Sequence, residues 1–184
     1  MASDLFAVCV FAASSERVAP AYRVLARDLG AAIAGQGWEL VYGGGQAGLM
    51  GEIARGALGT GGQVTGIIPH ALNSSERAFD EVTDLVLVDS LAQRKQQMDS
   101  RSDAFVVLPG GIGTLDELTD VLATLHLGMH SRPLVMVDPD GFWNPFAELL
   151  RHMVTADVMP EKSTRMVTVT HSVADAIAAI AGMR

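Results

Sequence analysis

Short apolar runs alternate with longer segments of helical periodicity along almost the whole chain. The runs do not alternate between polar and apolar residues, which is typical of strands buried on both faces of a parallel sheet. Such strands are predicted at residues 5–12, 38–42, 64–68, 85–88, 104–108, 134–137 and 166–170. This order predicts an α/β fold: one doubly wound, Rossmann-like domain over residues 1–184. It has a largely parallel sheet of about seven strands with helices on both faces.

Helical periodicity predicts helices at residues 19–34, 49–58, 115–127, 145–155 and 173–180, and a further helix that opens at Ser90. Ser90 and Gln93 have the Ser-x-x-Gln spacing of a capping box, which marks a helix N-terminus. Residues 69–80 form a polar loop that is long for a unit of this kind, and we expect it to act as a mobile flap.

Composition narrows the classes of function. Hydrophobic residues make up 49% of the chain and mean hydropathy is +0.28, so we expect another subunit to cover apolar surface. The net charge of −8 disfavours nucleic acid or an anionic membrane as a partner. Cys9 is the only cysteine, which indicates no disulfide framework and a cytoplasmic location. The first apolar run ends by Ala13 without a basic segment before it, so we expect neither a secretory signal nor a membrane span.

One glycine-rich segment follows the apolar run at residues 104–108: Pro109-Gly110-Gly111-Ile112-Gly113-Thr114-Leu115-Asp116-Glu117. A strand, a glycine turn and a helix in this order direct backbone N–H groups towards an anion, usually a phosphate. Thr114 and Glu117 also have the spacing of a capping box, which requires no ligand. A cap does not account for three glycines behind a proline at the end of a buried strand, and we therefore favour a ligand site.

A second glycine cluster lies between the second strand and the following helix. Gly43, Gly45 and Gly48 satisfy the G-x-G-x-x-G pattern of dinucleotide-binding proteins. However, the pattern follows the second strand instead of the first. The position for a ribose-binding acid, about twenty residues further on, lies in the segment Ile67-Ile68-Pro69-His70. We therefore do not expect NAD to bind.

The helix after Ser90 carries Arg94, Met98 and Arg101 at positions i, i+4 and i+7, on one face. An arginine fork matches the oxygens of phosphate or carboxylate, and a methionine can pack on a flat base. A solvated face paired with nearby aspartates fits the same spacing equally well.

Two further pairs of residues invite a chemical interpretation. His126 and His130 have the spacing of two metal ligands on a helix, but no acidic residue in a metalloprotease pattern accompanies them, and we predict no metal site. Ser14 and Ser15 end the first strand, where hydroxyls reach a bound ligand or cap the next helix. No nucleophile elbow of the G-x-S-x-G type surrounds either serine.

Taken together, these motifs resemble the LOG (Lonely Guy) family, cytokinin riboside 5′-monophosphate phosphoribohydrolases that are often labelled lysine decarboxylase-like. The resemblance rests on three blocks: Gly43-Gly44-Gly45-x-x-Gly48-Leu49-Met50-Gly51, Arg94-Lys95-x-x-Met98 and Pro109-Gly110-Gly111-x-Gly113-Thr114-x-x-Glu117. It continues through Leu127-Gly128-x-His130 and Gly141 and covers the chain to about Met159.

The resemblance implies hydrolysis of the N-glycosidic bond of an AMP-type nucleoside 5′-monophosphate, with release of free base and ribose 5-phosphate. It implies no metal or organic cofactor, and a homodimer whose interface helices complete the site. Arg94 and Glu117 are then the catalytic pair. The phosphate is held by Gly110, Gly111, Gly113 and Thr114, and the nucleotide site includes Ser15, Gly44, Gly45, Met98 and Arg101. This assignment is chemically sound, because departure of the base builds positive charge on the sugar and a carboxylate stabilises it or activates water.

Two alternatives to hydrolysis are considered. Lysine decarboxylation with pyridoxal phosphate requires a Schiff-base lysine. The chain has only Lys95 and Lys162, neither in a recognisable cofactor context, and we reject this activity. The other alternative is a non-catalytic carrier of a phosphorylated ligand, similar to molybdenum-cofactor carriers; a carrier needs the phosphate turn but not the carboxylate.

Departures from the family pattern lie at positions where they can alter the pocket for the base of the nucleotide. Residues 12–15 are Ala-Ala-Ser-Ser where the family usually has Cys-Gly-Ser-Ser, and Thr124 and His126 replace a usual tryptophan and glutamine. The sequence therefore leaves the preferred base open.

Overall fold

The computed structural model describes residues 5–72 and 77–183. Its strands are β1 (Ala7–Phe11), β2 (Glu39–Tyr42), β3 (Val64–Pro69), β4 (Asp84–Val88), β5 (Ala104–Val107), β6 (Leu134–Val137) and β7 (Thr168–Thr170). They form one sheet in the order β4-β3-β2-β1-β5-β6-β7, and every neighbouring pair is parallel. The predicted α/β, Rossmann-like architecture is confirmed.

Helices connect the strands and cover both faces of the sheet. They are α1 (Pro20–Gly35), α2 (Gly48–Gly59), α3 (Leu91–Ser100), α4 (Ile112–His126), α5 (Asn144–Thr155) and α6 (Val173–Gly182). Val8 and Val10 of β1 pack in one hydrophobic cluster with residues of α1, α2 and α6. Cys9 and Phe11 pack in the other with residues of α3 and α4. Successive β1 side chains thus point to opposite faces, as the continuous apolar run predicted.

The order of the strands reverses between β1 and β5, which pair from Val8 with Ala104 to Phe11 with Val107. The helix after β1 covers one face of the sheet and the helix after β5 covers the other. The two connections therefore diverge and leave a crevice at the carboxyl ends of these strands, where ligands of such folds bind.

The two predicted capping boxes have different outcomes. At the start of α3, the Gln93 backbone N–H donates to Ser90 Oγ at 3.2 Å, and the Gln93 side chain accepts from the Asp89 N–H at 2.8 Å. The box predicted at Thr114 and Glu117 is wrong, because α4 begins at Ile112 and Gly111 is its N-cap. Glycine and threonine are tolerated in a first helical turn, so the helix extends back to the end of the glycine turn.

The predicted flap at residues 69–80 is described in part. A 3₁₀ turn spans His70–Leu72, and residues 73–76 lie outside the described part of the chain. At the returning end, the Phe79 N–H donates to the Gly44 carbonyl at 3.0 Å, which attaches this end to the second glycine cluster. The mobility of the loop stays a prediction. Among the helices of the described residues, none combines the length and the apolar character needed to cross a membrane.

Candidate active site

A cavity of about 190 Å³ lies at the crevice between the carboxyl ends of β1 and β5. Its lining comprises Ala12, Ala13, Ser14 and Ser15 after β1, Met50 of α2, Arg94 of α3, and Gly111, Ile112, Gly113, Thr114 and Glu117 of the glycine turn and α4. Six of the residues predicted from the sequence for this site therefore meet in one cavity: Ser15, Arg94, Gly111, Gly113, Thr114 and Glu117.

The N-terminus of α4 opens onto this cavity. Its N-cap, Gly111, has extended backbone angles, and no side chain of the described residues caps the helix. The first N–H groups of an α-helix have no partner within the helix, and the helix dipole makes this end electropositive. The turn is thus built to donate hydrogen bonds to an anion.

Gly110 and its neighbours Gly111 and Gly113 are needed for different reasons. A Cβ on Gly110 lies 2.1 Å from Thr114 Oγ1, so Gly110 makes room for Thr114, which is only 3% exposed. A Cβ on Gly111 or Gly113 meets no atom of residues 5–72 and 77–183 within 4 Å, and neither glycine has a positive φ. Neither the packing nor the backbone of the chain requires glycine there. Both residues line the cavity, so the lack of a side chain there lets a ligand approach the backbone closely.

Arg94 is held in the wall of the cavity by backbone carbonyls. Its Nε donates to the Ile67 carbonyl at 3.1 Å and its Nη2 to the Gly43 carbonyl at 2.7 Å. The residue is 7% exposed, and a Cβ on Gly43 lies only 2.1 Å from Nη2. The first glycine of the second cluster therefore gives the guanidinium its place, and both carbonyls fix its orientation.

Glu117 lies on α4, three residues after Thr114, and its half-buried side chain lines the same cavity as Arg94. The carboxylate stands near the fully buried thiol of Cys9 in β1. Burial raises the pKa of this thiol well above its usual value, and the negative charge of Glu117 raises it further. Cys9 is consequently a protonated core residue, unsuited to act as a nucleophile.

Lys95 points away from this cavity and towards α4. Its Nζ lies 3.0 Å from Asp116 Oδ1 and 3.3 Å from Asp120 Oδ1, and the hydrogen bond to Asp116 raises the pKa of the ammonium. Lys162 is exposed in the 3₁₀ turn Glu161–Arg165. A Schiff base needs a neutral amine in a cofactor pocket, and neither lysine provides one. The residues present do not fit pyridoxal phosphate.

Two predicted nucleotide-binding residues of α3 lie elsewhere. Arg101 follows the C-terminus of the helix, and its Nη1 lies 3.5 Å from Asp84 Oδ2 at the first residue of β4. It is therefore at the amino edge of the sheet, opposite the cavity. Met98 is buried in the core, next to Phe105 and below Glu117. Arg94 and Met98 are the two buried residues of α3, and of the three predicted residues only Arg94 lines the cavity.

The second glycine cluster packs against the loop after β1, which lines the cavity. Gly44 has φ +76° and Gly48 has φ +58°, and a Cβ on Gly48 lies 2.6 Å from the Ser15 carbonyl oxygen. The N–H of Leu49, at the start of α2, donates to the Ala13 carbonyl at 2.8 Å. This helix N-terminus thus binds the loop after β1. Gly44 and Gly45, which were predicted to contact the nucleotide, do not line this cavity.

His126 and His130 contact different hydroxyl groups. His126 Nδ1 lies 2.8 Å from Ser163 Oγ, and His130 Nε2 lies 3.2 Å from Thr124 Oγ1. Burial lowers the pKa of His130, as does the positive charge of Arg132. Within residues 5–72 and 77–183, no group of three or more His, Cys, Asp or Glu side chains could hold a metal ion.

An apolar groove of about 450 Å³ adjoins the other side of the glycine turn. It is lined by Gly110, Gly111, Ile112, Leu115, Phe142, Trp143, Pro145, Phe146 and Leu149. Ile112 is 82% exposed and Leu149 is 47% exposed, and no residue of α5 is fully buried. The Tyr22 hydroxyl donates to Asp140 Oδ2 at 2.7 Å and ties α1 to the loop beside this groove.

Some lining residues of the cavity were not assigned from the sequence as site residues, notably Ala12, Ala13 and Met50. Residues directly after a predicted strand are candidates for lining such a site, because the carboxyl ends of parallel strands lie at the same edge of the sheet. Only the strand order, however, shows that β1 is the neighbour of β5 and that its end faces the glycine turn.

Comparison with known proteins identifies the family of this chain. A family model described as "Possible lysine decarboxylase" matches residues 50–180. A cytokinin riboside 5′-monophosphate phosphoribohydrolase of Mycobacterium tuberculosis is 46% identical over 158 residues, which are 85% of this chain and 84% of that protein. Its namesake from Rhodococcoides fascians is 37% identical over 94% of this chain and 88% of its own length.

Among solved structures, the molybdenum cofactor carrier protein of Chlamydomonas reinhardtii has the same fold. It aligns with a TM-score of 0.74 and 26% identity over 97% of this chain and 98% of its own. The curated relatives are markedly closer in sequence and are named as phosphoribohydrolases, although the family model carries the decarboxylase description. The chain belongs to the LOG family, the cytokinin riboside 5′-monophosphate phosphoribohydrolases.

Proposed function

We propose that this protein hydrolyses the N-glycosidic bond of an AMP-type nucleoside 5′-monophosphate, including nucleotides of adenine alkylated on its exocyclic amine. The products are the free base and ribose 5-phosphate. One observation carries the proposal: Gly111 and Gly113 leave open space at an uncapped helix N-terminus, in the same cavity as Arg94 and Glu117. An anion site beside a carboxylate suits a phosphorylated sugar.

The phosphate binds at the start of α4. The first N–H groups of the helix and the Thr114 hydroxyl donate to its oxygens, and Gly111 and Gly113 let it approach the backbone. The loop serine Ser15 borders the same space. Because these donors belong to the end of a rigid helix, they fix the ribose relative to residues further along α4.

Glu117 supports the chemical step. As the bond from C1′ to the base nitrogen breaks, the ribose gains oxocarbenium character, and a nearby carboxylate stabilises this charge. The oxygen of water then bonds to C1′, and the base leaves with a proton. Arg94, held by two carbonyls, positions the nucleotide beside that carboxylate.

The test is a substrate panel with chromatographic detection of base and ribose 5-phosphate. It contains AMP, other nucleoside monophosphates and isopentenyl-adenosine monophosphate, each beside its unphosphorylated nucleoside. We expect turnover of the adenine monophosphates only. Glu117→Gln and Arg94→Ala should each lower kcat/KM at least about 100-fold, since each removes a charge from the reacting centre.

Matched controls come from an exposed ion pair. Arg165 Nη2 and Glu161 Oε1 are 3.4 Å apart, both side chains are more than 70% exposed, and neither residue lines the cavity. Arg165→Ala and Glu161→Gln should therefore keep wild-type activity. Equal turnover of nucleotides and nucleosides would contradict the phosphate-binding role of the glycine turn, and failure to cleave any monophosphate would refute the proposed function.

A carrier of a phosphorylated ligand is the second candidate, favoured by the fold shared with the molybdenum cofactor carrier protein. A carrier needs the turn at Gly111 and Gly113 but has no use for a carboxylate and a fixed guanidinium in the same cavity. A phosphorylated ligand that co-purifies with the wild-type protein and survives intact would support the carrier over the hydrolase.

We further propose that the working unit is a homodimer in the cytoplasm. The apolar groove along α5 borders the glycine turn through Gly110 and Gly111, so a second copy that packs there closes one side of the site. Exposed apolar surface of this kind is typical of a protein interface. The single buried thiol, Cys9, suits a reducing compartment.

A further inference from the structure

Lys95 and Asp116 are direct sequence neighbours of the two charged residues proposed for the reaction. Lys95 follows Arg94 on α3, and Asp116 precedes Glu117 on α4. The neighbours pair with each other, because Lys95 Nζ lies 3.0 Å from Asp116 Oδ1. Asp120, one turn further along α4, adds a second carboxylate at 3.3 Å from the same nitrogen. The ammonium thus bridges two positions of α4 from the helix that carries Arg94.

This bridge connects α3 to α4. α3 is a polar helix with only Arg94 and Met98 buried. The space between Met98, Lys95 and Glu117 encloses a gap of only about 10 Å³, so small shifts of either helix change the packing below Glu117. Asp116 and Asp120 are at positions i and i+4 of α4, so both carboxylates lie on the side of the helix that faces the Lys95 ammonium.

We infer that Lys95 is a positioning residue, which sets Glu117 relative to Arg94 through Asp116 and Asp120 and does not itself contact the substrate. The inference rests on the proposed hydrolysis for its kinetic test. Arg94 is fixed by the carbonyls of Gly43, directly after β2, and Ile67, in β3, so the sheet sets the position of its guanidinium. Glu117 lies on α4, and the Lys95 bridge connects α4 to α3, the helix that carries Arg94.

Steady-state kinetics with AMP provide the first test. Lys95→Met should lower kcat about 10- to 100-fold with KM changed less than about twofold, because small misplacement of a reacting group costs rate. Asp116→Asn/Asp120→Asn should show the same loss. The triple variant should lose no more than either, since all three residues act through one bridge. Lys95→Arg should recover most of kcat, and Lys162→Met, at the only other lysine, should match the wild type.

Two results overturn the inference. A raised KM with unchanged kcat in Lys95→Met means that the ammonium binds substrate directly. Wild-type kcat in Asp116→Asn/Asp120→Asn means that the bridge does not position Glu117. Thermal unfolding of each variant accompanies the assay, and the rescue by Lys95→Arg separates loss of positioning from loss of fold.

A readout without catalysis separates this inference from the proposed function. If the wild-type protein cleaves no nucleotide, the hydrolase proposal fails, and crystal structures of the wild type and Lys95→Met still measure the position of Glu117 relative to Arg94. A displacement of the order of 1 Å supports the positioning role. An unchanged separation overturns it.

Discussion

At the scale of single residues, three nearby glycines have different surroundings. Gly110 is packed against Thr114, whereas Gly111 and Gly113 face open space in the cavity. Gly110 therefore makes room for Thr114 within the turn, whereas Gly111 and Gly113 belong to the surface that we propose binds the phosphate. A sequence motif presents all three as equivalent, and only the atoms around each position separate the two roles.

This difference leads to a prediction for alanine substitutions. Gly113→Ala should leave the fold intact and stabilise it by about 0.5–1 kcal/mol, since alanine is the better helix former. Its methyl group should nevertheless raise KM for AMP by about 10- to 100-fold, the loss expected when one or two hydrogen bonds to a charged group are displaced.

Gly110→Ala is the matched comparison, because its Cβ meets the Thr114 side chain at 2.1–2.6 Å. This variant should lose about 1–3 kcal/mol of unfolding free energy through overpacking. Urea unfolding and AMP kinetics measure both quantities. An unchanged KM in Gly113→Ala contradicts the role of the open space at the helix N-terminus.

At the scale of elements, α1 and α2 are packed unusually closely. A Cβ on Gly30 lies 2.0 Å from the Ile53 carbonyl oxygen, and one on Gly56 lies 2.0 Å from the Arg27 carbonyl oxygen. Across the same interface, Arg27 Nη2 lies 2.6 Å from Glu52 Oε2. The close approach places the start of α2, with Met50, against the loop after β1, and so shapes one wall of the cavity.

We predict that Gly30→Ala destabilises the protein by at least about 1–3 kcal/mol, because a backbone oxygen cannot move aside as a flexible side chain can. Gly35, the last residue of α1, has no atom within 4 Å of an added Cβ. Gly35→Ala should therefore stabilise by about 0.4–1 kcal/mol through the unfolded chain. Thermal unfolding compares the two, and equal midpoints contradict the close packing.

At the scale of the whole molecule, the chain carries net charge −8 yet exposes an apolar groove beside its candidate site. α5 contains no fully buried residue, so this helix contributes little to the core of one chain. Ile112, at the start of α4, and Leu149, on α5, expose their side chains along the same groove. We expect a second copy that packs there to bury both helices and to enclose the glycine turn.

We predict that the wild-type protein has about twice the 19.4 kDa mass of one chain in solution, measured by light scattering. Leu149→Asp should shift this mass to that of a monomer, because a charge in an apolar interface loses its hydration. It should also lower activity, since the groove adjoins the phosphate turn. Val24→Asp is the control: Val24 is 60% exposed on α1 and outside the groove. A dimer that persists in Leu149→Asp excludes this face as the interface.

The order of the elements and the position of the glycine turn follow from the sequence alone. Continuous apolar runs are local signals of buried strands, and the predicted strand at residues 134–137 coincides with β6 (Leu134–Val137). The start of α4 was predicted three residues too late, because Gly111 and Gly113 disfavour helix by propensity alone. Helix boundaries depend on where the terminal N–H groups find partners, and propensity does not contain this information.

The tertiary structure alone decided which residues meet. Arg94 lies on α3 and Glu117 on α4. Both line the cavity at the carboxyl ends of β1 and β5, which are neighbours in the sheet. Arg101 was predicted to share a helix face with Arg94, but it follows α3 and lies at the other edge of the sheet. The periodicity of a helix predicts which of its residues share a face. It does not predict which end of that face lies near the cavity, because this depends on the positions of the neighbouring strands. The sequence therefore determined which reactive side chains the protein has, and the order of the strands determined which of them lie in one cavity.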